Sequence, residues 1–124
     1  MLYSGHEVRN MEQVKTTEFS LCPKFEKAFA ILGKKWNGLI IDVLLENGPQ
    51  RFGELRQKIP ELSDRVLVER LKELEIEGII AKAVRCDESS RLEYFLTQKG
   101  ADLQQAMEQI QGWAEKWVTA EECS

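Results

Sequence analysis

The sequence of 124 residues is poor in the groups that enzymes and metal sites use: one histidine, three cysteines and eight glycines. With His6 alone, set in the N-terminal stretch, no histidine stands beside a nucleophile as a general base. No nucleophile elbow, phosphate-binding glycine loop or paired-carboxylate pattern takes its place, so the chain reads as a non-enzyme. Cys22, Cys86 and Cys123 are far apart, odd in number and never spaced as CxxC. That argues against a secreted disulfide framework and against zinc, and it points to a reducing cytoplasm. No metal or cofactor is expected. No apolar run approaches the roughly 20 residues of a membrane span. Residues 1–17 carry Glu7, Glu12 and Lys15 without an apolar core, so neither a signal peptide nor a membrane partner is expected. A basic excess is also missing, since the net charge is −4. The first 50 residues hold six basic and six acidic groups, residues 51–91 hold nine of each, and residues 92–124 hold two basic and six acidic. A negatively charged partner must therefore meet the chain before its C-terminal quarter.

What is present is one ordinary domain's worth of chain, 43% hydrophobic and 31% charged. Residues 1–20 are mostly polar and read as a flexible or loosely docked arm. Pro23 suits a first helical position, and Phe25, Phe29 and Leu32 recur at helical spacing up to Gly33. Trp36, Leu39, Ile40, Val43 and Leu44 mark a second helix, closed by Asn47-Gly48-Pro49. Phe52, Leu55 and Ile59 make a short third helix stopped by Pro60. Ser63 caps a fourth, in which Leu67, Leu71 and Leu74 share one face. After Gly78 the period changes: residues 80–85 and 92–96 read as two strands joined across Asp87-Glu88-Ser89-Ser90. Thr97 then caps a last helix running to Trp117, roughly 30 Å long at 1.5 Å per residue.

This order predicts a mainly α fold with a two-stranded β wing, a winged helix-turn-helix with a long C-terminal dimerisation helix. Residues 21–96 form the winged-helix core and residues 97–124 the dimerisation helix and tail. In the last helix Leu103, Ala106, Ile110, Trp113, Trp117 and Ala120 alternate at spacings of three and four, the narrow seam of a helix meeting another helix. A homodimer is the reading preferred over packing of that seam on the chain's own first helices.

Several stretches together resemble a known group. They are Cys22-Pro23-Lys24, Leu32-Gly33-Lys34-Lys35-Trp36, Arg51-Phe52-Gly53-Glu54-Leu55, Ser63 with residues 67–74, and residues 93–100. The combination is similar to the HxlR-type regulators, a branch of the MarR-like winged-helix transcription factors. The resemblance spans residues 22–117. It implies a homodimeric bacterial transcription regulator on a near-palindromic, double-stranded operator, with repression the expected sign. It also implies a sensing cysteine at the Cys-Pro position, Cys22, answering oxidants or electrophiles such as quinones. The wing departs from the family's usual Pro-Glu-x-Pro stretch, because residues 86–91 contain no proline.

On the fourth helix, 100° per residue places Arg65, Val68, Glu69 and Lys72 opposite the leucine stripe. The N-terminal residues of a recognition helix meet base edges, which makes Asp64, Arg65 and Val68 the expected readers. Ser63 caps the helix first and can also face phosphate. Arg51, Arg56 and Lys72 are the expected phosphate contacts. In the wing, Arg91 is expected in a minor groove with Ser89 and Ser90 near phosphate. Arg70 lies close to the core stripe and reads as a brace. The acidic residues interleaved on this face are equally what a solvated helix would carry.

Cys22 begins a helix, where the macrodipole, Lys24 and Lys27 favour a thiolate. Read from the residues alone the packed, inert thiol is the better reading, and it is the resemblance that reverses this and makes Cys22 a sensor. Cys123, flanked by Glu121 and Glu122, is the expected resolving partner from the other subunit, and Cys86 is incidental. The alternative function is a winged-helix module without a thiol switch, binding a protein partner or a small effector at the dimer interface. Phe25, Phe29, Trp36 and Trp113 could line such a pocket, although aromatics at helical spacing are more often core.

Overall fold

A computed structural model of the chain describes residues 22–87 and 90–123. The expected arm of residues 1–20, with His6, and the wing residue Ser89 lie outside the described residues. Two compact units divide the chain, residues 1–32 and 33–124.

The described part of the first unit is helix α1, Pro23–Leu32. The Cys22 carbonyl accepts the Glu26 N–H at 3.0 Å, which puts Cys22 at the cap and Pro23 at the position where no N–H is required. Phe25 and Phe29, one turn apart, meet edge to face with ring centroids 4.9 Å apart. These two rings correct the expectation that they are core, since they are 64% and 55% exposed. A ten-residue helix has no second layer of its own to cover its apolar face.

The second unit opens with a turn at residues 33–36. It continues through α2 (Asn37–Asn47), α3 (Phe52–Lys58) and α4 (Asp64–Ile76). Its core is what the apolar periodicity supplies. Ile40, Ile41 and Leu44 of α2, Leu55 of α3, and Leu67, Leu71 and Leu74 of α4 are buried together with Ile59, Leu62, Ile79 and Ile80. At roughly 1.5–3 kcal/mol per fully buried aliphatic side chain, this cluster is the main favourable contribution to folding. Trp36 enters α2 with φ 83°, a left-handed backbone that bulky side chains rarely adopt. Two hydrogen bonds support it: its carbonyl accepts Ile40 N–H, and Asn37 N–H reaches the Lys34 carbonyl.

Strands β1 (Ile80–Val84) and β2 (Leu92–Leu96) pair antiparallel, Ile80 opposite Leu96 and Val84 opposite Leu92. The first strand stops one residue before the expected Arg85, whose N–H still bonds the Arg91 carbonyl at 3.0 Å. A contact absent from the sequence reading lies on the other edge of β2. Gln50 and Tyr94 exchange two backbone hydrogen bonds, at 2.9 and 2.8 Å. The residue after Asn47-Gly48-Pro49 thus serves as a one-residue third strand, tying the turn between α2 and α3 to the wing.

The last helix differs from the expected single rod of residues 97–117. Thr97 caps as expected, accepting the Gly100 N–H, but only α5 (Gln98–Ala101) follows. After a turn at Asp102 and Leu103 the chain resumes as α6 (Gln104–Trp117). Leu103 N–H bonds the Gly100 carbonyl three residues back, where a regular helix would reach four. The cause is local. Gly100 is pressed against the Ile79 carbonyl while Thr97 Oγ1 donates to the Gly78 carbonyl, so α5 is held to the start of β1. With 14 residues α6 is about 21 Å long. Ala120, counted in the seam, falls instead in a 3-10 turn, Ala120–Cys123.

Two outcomes follow from this packing. Gly100→Ala places a Cβ onto the Ile79 carbonyl and 2.8 Å from Leu96 Cδ2, and is expected to destabilise the fold by about 1–3 kcal/mol. Urea unfolding measures this, and an unchanged midpoint contradicts the close approach. The second concerns the start of α3, where Arg51 N–H donates to Glu54 Oε1 at 2.8 Å and Arg51 Nη2 to Oε2 at 3.3 Å. The backbone bond first, then the Arg51 side chain, holds the Glu54 carboxyl below its ordinary value. A depressed carboxyl stabilises the fold above its unfolded-state pKa, and that contribution is lost as pH falls through the folded-state value. Between about pH 6 and about pH 3, Glu54→Gln should therefore lose less stability than the parent chain. Parallel acid losses in the two proteins would remove this role.

Candidate nucleic-acid interface

Helix α4 is built to show one face. Its three leucines lock the inner side, and Ser63 Oγ accepts the Val66 N–H at 3.2 Å, satisfying one of the free amides at its start. Opposite them Arg65 points outward. Its side chain is 89% exposed, and the Glu69 carboxylate lies 3.9 Å away. Val68 and Lys72 are exposed on the same side. Arg65, Val68 and Lys72 therefore share a face free of tertiary packing.

Two of the expected contact residues are joined to each other. Arg56 Nε and Nη1 reach Asp64 Oδ1 and Oδ2 at 3.1 and 3.4 Å, a two-point pair spanning the turn between α3 and α4. Both partners are more than half exposed, so their pairing is weak enough to be exchanged for a phosphate. Arg51 is engaged with Glu54 at the start of α3. Arg70 is the expected brace: only 15% exposed, it donates from Nε to the Lys35 carbonyl at 3.0 Å and lies 3.5 Å from Glu73. Glu73 also takes Lys34 Nζ at 2.6 Å. The Lys34–Trp36 turn is thus fastened to α4 through Arg70 and Glu73, beside its leucine stripe. Neither Lys34 nor Glu73 was visible as a pair in sequence, because 39 residues separate them.

In the wing, Arg91 and Ser90 are exposed, and Ser90 turns the chain with φ 49°. Arg85 holds Asp87 at 3.0 Å and Glu93 at 3.1 Å. All three cysteines are free and exposed, Cys22 at the start of α1, Cys86 beside the wing tip and Cys123 in the C-terminal turn. Cys123 lies with Gly112, Ala114, Val118 and Ala120 along an open groove of about 830 Å³.

The seam residues of α6 do not pack into the chain's own core. Ile110, Trp113 and Trp117 are 53%, 62% and 61% exposed, and no residue of α6 is buried. Ala106 is exposed and Leu103, in the turn before α6, half-buried. One hydrogen bond, Gln111 Nε2 to Asp42 Oδ1 at 2.6 Å, links the helix to α2. Of the four aromatics considered for a pocket, Trp113 is thus exposed along with the two phenylalanines, and Trp36 is half-buried under Lys35 Nζ, 5.0 Å from its ring. Among the described residues no helix is long and apolar enough to cross a membrane.

Helix-turn-helix, capped recognition-type helix and wing occur here in the order of a winged-helix protein, and comparison with known proteins agrees. The family model described as HxlR-like helix-turn-helix matches residues 31–122. The HTH-type transcriptional regulator YodB of Bacillus subtilis is 46% identical over 98 residues, covering 79% of this chain and 87% of that protein. YvaP of the same organism, an HTH-type transcriptional regulator, is 49% identical over 98 residues, covering 79% and 90%. The reduced form of YodB superposes with a TM-score of 0.72 at 45% identity, over 80% of this chain and 96% of that one. YodB also has quinone-bound and diamide-treated structures. The redox regulator HypR in its reduced form matches with a TM-score of 0.71 at 30% identity, over 82% and 99%. With the fold, the order of elements and most of the chain's length in agreement, this protein belongs to the HxlR-like helix-turn-helix family and is a transcriptional regulator, not an enzyme.

Proposed function

We propose that the protein is a homodimeric, sequence-specific DNA-binding regulator of the cytoplasm whose operator affinity is lowered by oxidation or electrophilic modification of Cys22. The observation that carries the DNA reading is the outer face of α4. Arg65 projects into solvent from the first turn of a helix whose opposite side is locked by three buried leucines. A rigid helix with an exposed arginine near its N-terminus, held by Glu69 through a weak surface pair, suits bidentate recognition of guanine, and Val68 one turn on suits a thymine methyl. Asp64 is the third reader. Arg51, Arg56, Ser63 and Lys72 contact phosphate, and Arg91 enters the minor groove with Ser89 and Ser90 beside it.

The outward seam Leu103, Ala106, Ile110, Trp113 and Trp117 is the dimer interface. Large apolar side chains in a row at half exposure or more are what a partner helix covers. A two-fold dimer presents two copies of α4 to half-sites about 34 Å apart on a near-palindromic operator.

Two observations support the switch. Cys22 and Cys123 are both exposed, as an intermolecular bridge requires, and the relative YodB is known in quinone-bound and diamide-treated forms and HypR in reduced and oxidised forms. A disulfide between Cys22 of one subunit and Cys123 of the other brings their Cα atoms within about 7 Å. That draws on the C-terminal helices and changes the spacing of the recognition helices.

The defining experiment is selection of genomic fragments by the purified protein, reduced and oxidised, followed by binding to the selected duplex across a salt series. Arg65→Ala is expected to weaken the selected duplex by about 1–3 kcal/mol while leaving random duplex nearly unchanged. An equal loss on both makes Arg65 a phosphate contact, and a flat salt response removes the DNA reading. For the switch, a non-reducing gel after diamide should show a covalent dimer. It should be absent in Cys22→Ser and Cys123→Ser and present in Cys86→Ser. If Cys123→Ser keeps both the covalent dimer and oxidative release of DNA, the tail cysteine has no part in the switch.

A further inference from the structure

The wing lacks the prolines that would stiffen it, yet side chains join its two sides. Beyond the paired strands, Arg85 N–H bonds the Arg91 carbonyl at 3.0 Å and Ser90 N–H reaches the Asp87 carbonyl at 3.3 Å. The Arg85 side chain is held by carboxylates on both sides of the loop. Its Nε meets Asp87 at 3.0 Å and its Nη1 meets Glu93 at 3.1 Å. Asp87 is on the outgoing side of the hairpin and Glu93 on the returning strand, so one planar guanidinium fastens both sides across the base of the loop. Glu93 is a firm anchor, with its side chain only 19% exposed. The same groups line a small polar cavity of about 370 Å³ against the start of α3, where Pro49, Arg51 and Glu54 complete the wall. Three carboxylates and two guanidiniums line that cavity, so Arg85 sits among carboxylates there.

We propose that Arg85 is a positioning residue for DNA recognition: its bridge between Asp87 and Glu93 replaces wing prolines and fixes the direction in which Arg91 leaves the hairpin. Arg85 itself touches no DNA. The proposal rests on the DNA-binding reading and assigns to that site a residue that the sequence did not single out. Arg85 and Arg91 have near-identical charge, and a basic wing would ordinarily be credited to both. Geometry separates them, because Arg85 is spent on carboxylates and Arg91 is exposed at the tip.

The test uses the full-length reduced protein, the duplex it selects from genomic fragments, and a random duplex of equal length. Asp87→Asn with Glu93→Gln removes two negative charges, so simple electrostatics makes this variant bind DNA more tightly. The proposal requires the opposite on the selected duplex, a loss of about three- to tenfold, the size of coupling typical of groups in one network. Arg85→Gln should weaken binding by a similar factor, and that loss should vanish in an Arg91→Ala background, where there is no longer a side chain to aim. Tighter binding by the carboxylate variant, or additive losses for Arg85→Gln and Arg91→Ala, makes Arg85 a phosphate contact and overturns the proposal while leaving DNA binding intact. A wild-type protein that selects no duplex and shows no salt dependence removes the DNA-binding reading, and the proposal falls with it.

Discussion

The pair of backbone hydrogen bonds between Gln50 and Tyr94 is the constraint on which the molecule's working surface depends. Helices α2 to α4 pack through their buried aliphatic residues with Ile79 and Ile80, at the root of the hairpin. The hairpin, two five-residue strands, is too small to hold its own orientation. Joining the turn after α2 to the outer edge of β2 makes one body of them. Gln50 itself is buried, its side-chain amide donating to the Pro49 carbonyl at 2.9 Å. Next to it, Arg51 and Glu54 begin α3 and wall the cavity that Arg85 enters from the wing. The start of one helix and the root of the hairpin therefore share a single polar seam.

Local chemistry was legible in the sequence, and long-range pairing was not. Ser63 and Thr97 act as caps, Pro23 stands at a first helical position, and Gly78 adopts the left-handed backbone with φ 77° that ends α4. Each depends on its neighbours within four residues, which is the range that periodicity and capping rules address. The leucine stripe of α4 and its outward face followed from the same arithmetic. The Gln50 bridge, the Lys34–Glu73 pair and the break at Asp102 did not. They join segments tens of residues apart or answer to a close contact, Gly100 on Ile79, that no local pattern encodes. The exposed phenylalanines of α1 and tryptophans of α6 show another limit. Apolar spacing says that a face will be covered, without saying whether the same chain or another copy covers it.

Charge on the outer face of α4 is arranged to be rearranged. Arg56 with Asp64, and Arg65 with Glu69, are exposed pairs worth little individually in water. Arg70 is different, nearly buried and bonded to a backbone carbonyl, and it stabilises the turn before α2 while the exposed arginines remain available. The net acidity of the protein does not fall on that helix in sequence, because the excess negative charge is concentrated after residue 91.

The outward tryptophans of α6 also make the protein its own optical reporter. Of three tryptophans in the chain, two lie on that face more than half exposed, one with Lys116 Nζ 5.5 Å from its ring, and the third is half-buried at the start of α2. Water-exposed indoles emit at longer wavelength than covered ones, so the emission of the unlabelled chain is weighted towards whatever approaches α6. The pairing and oxidation proposed for that helix can therefore be followed in solution by intrinsic fluorescence, with no dye attached to a thiol.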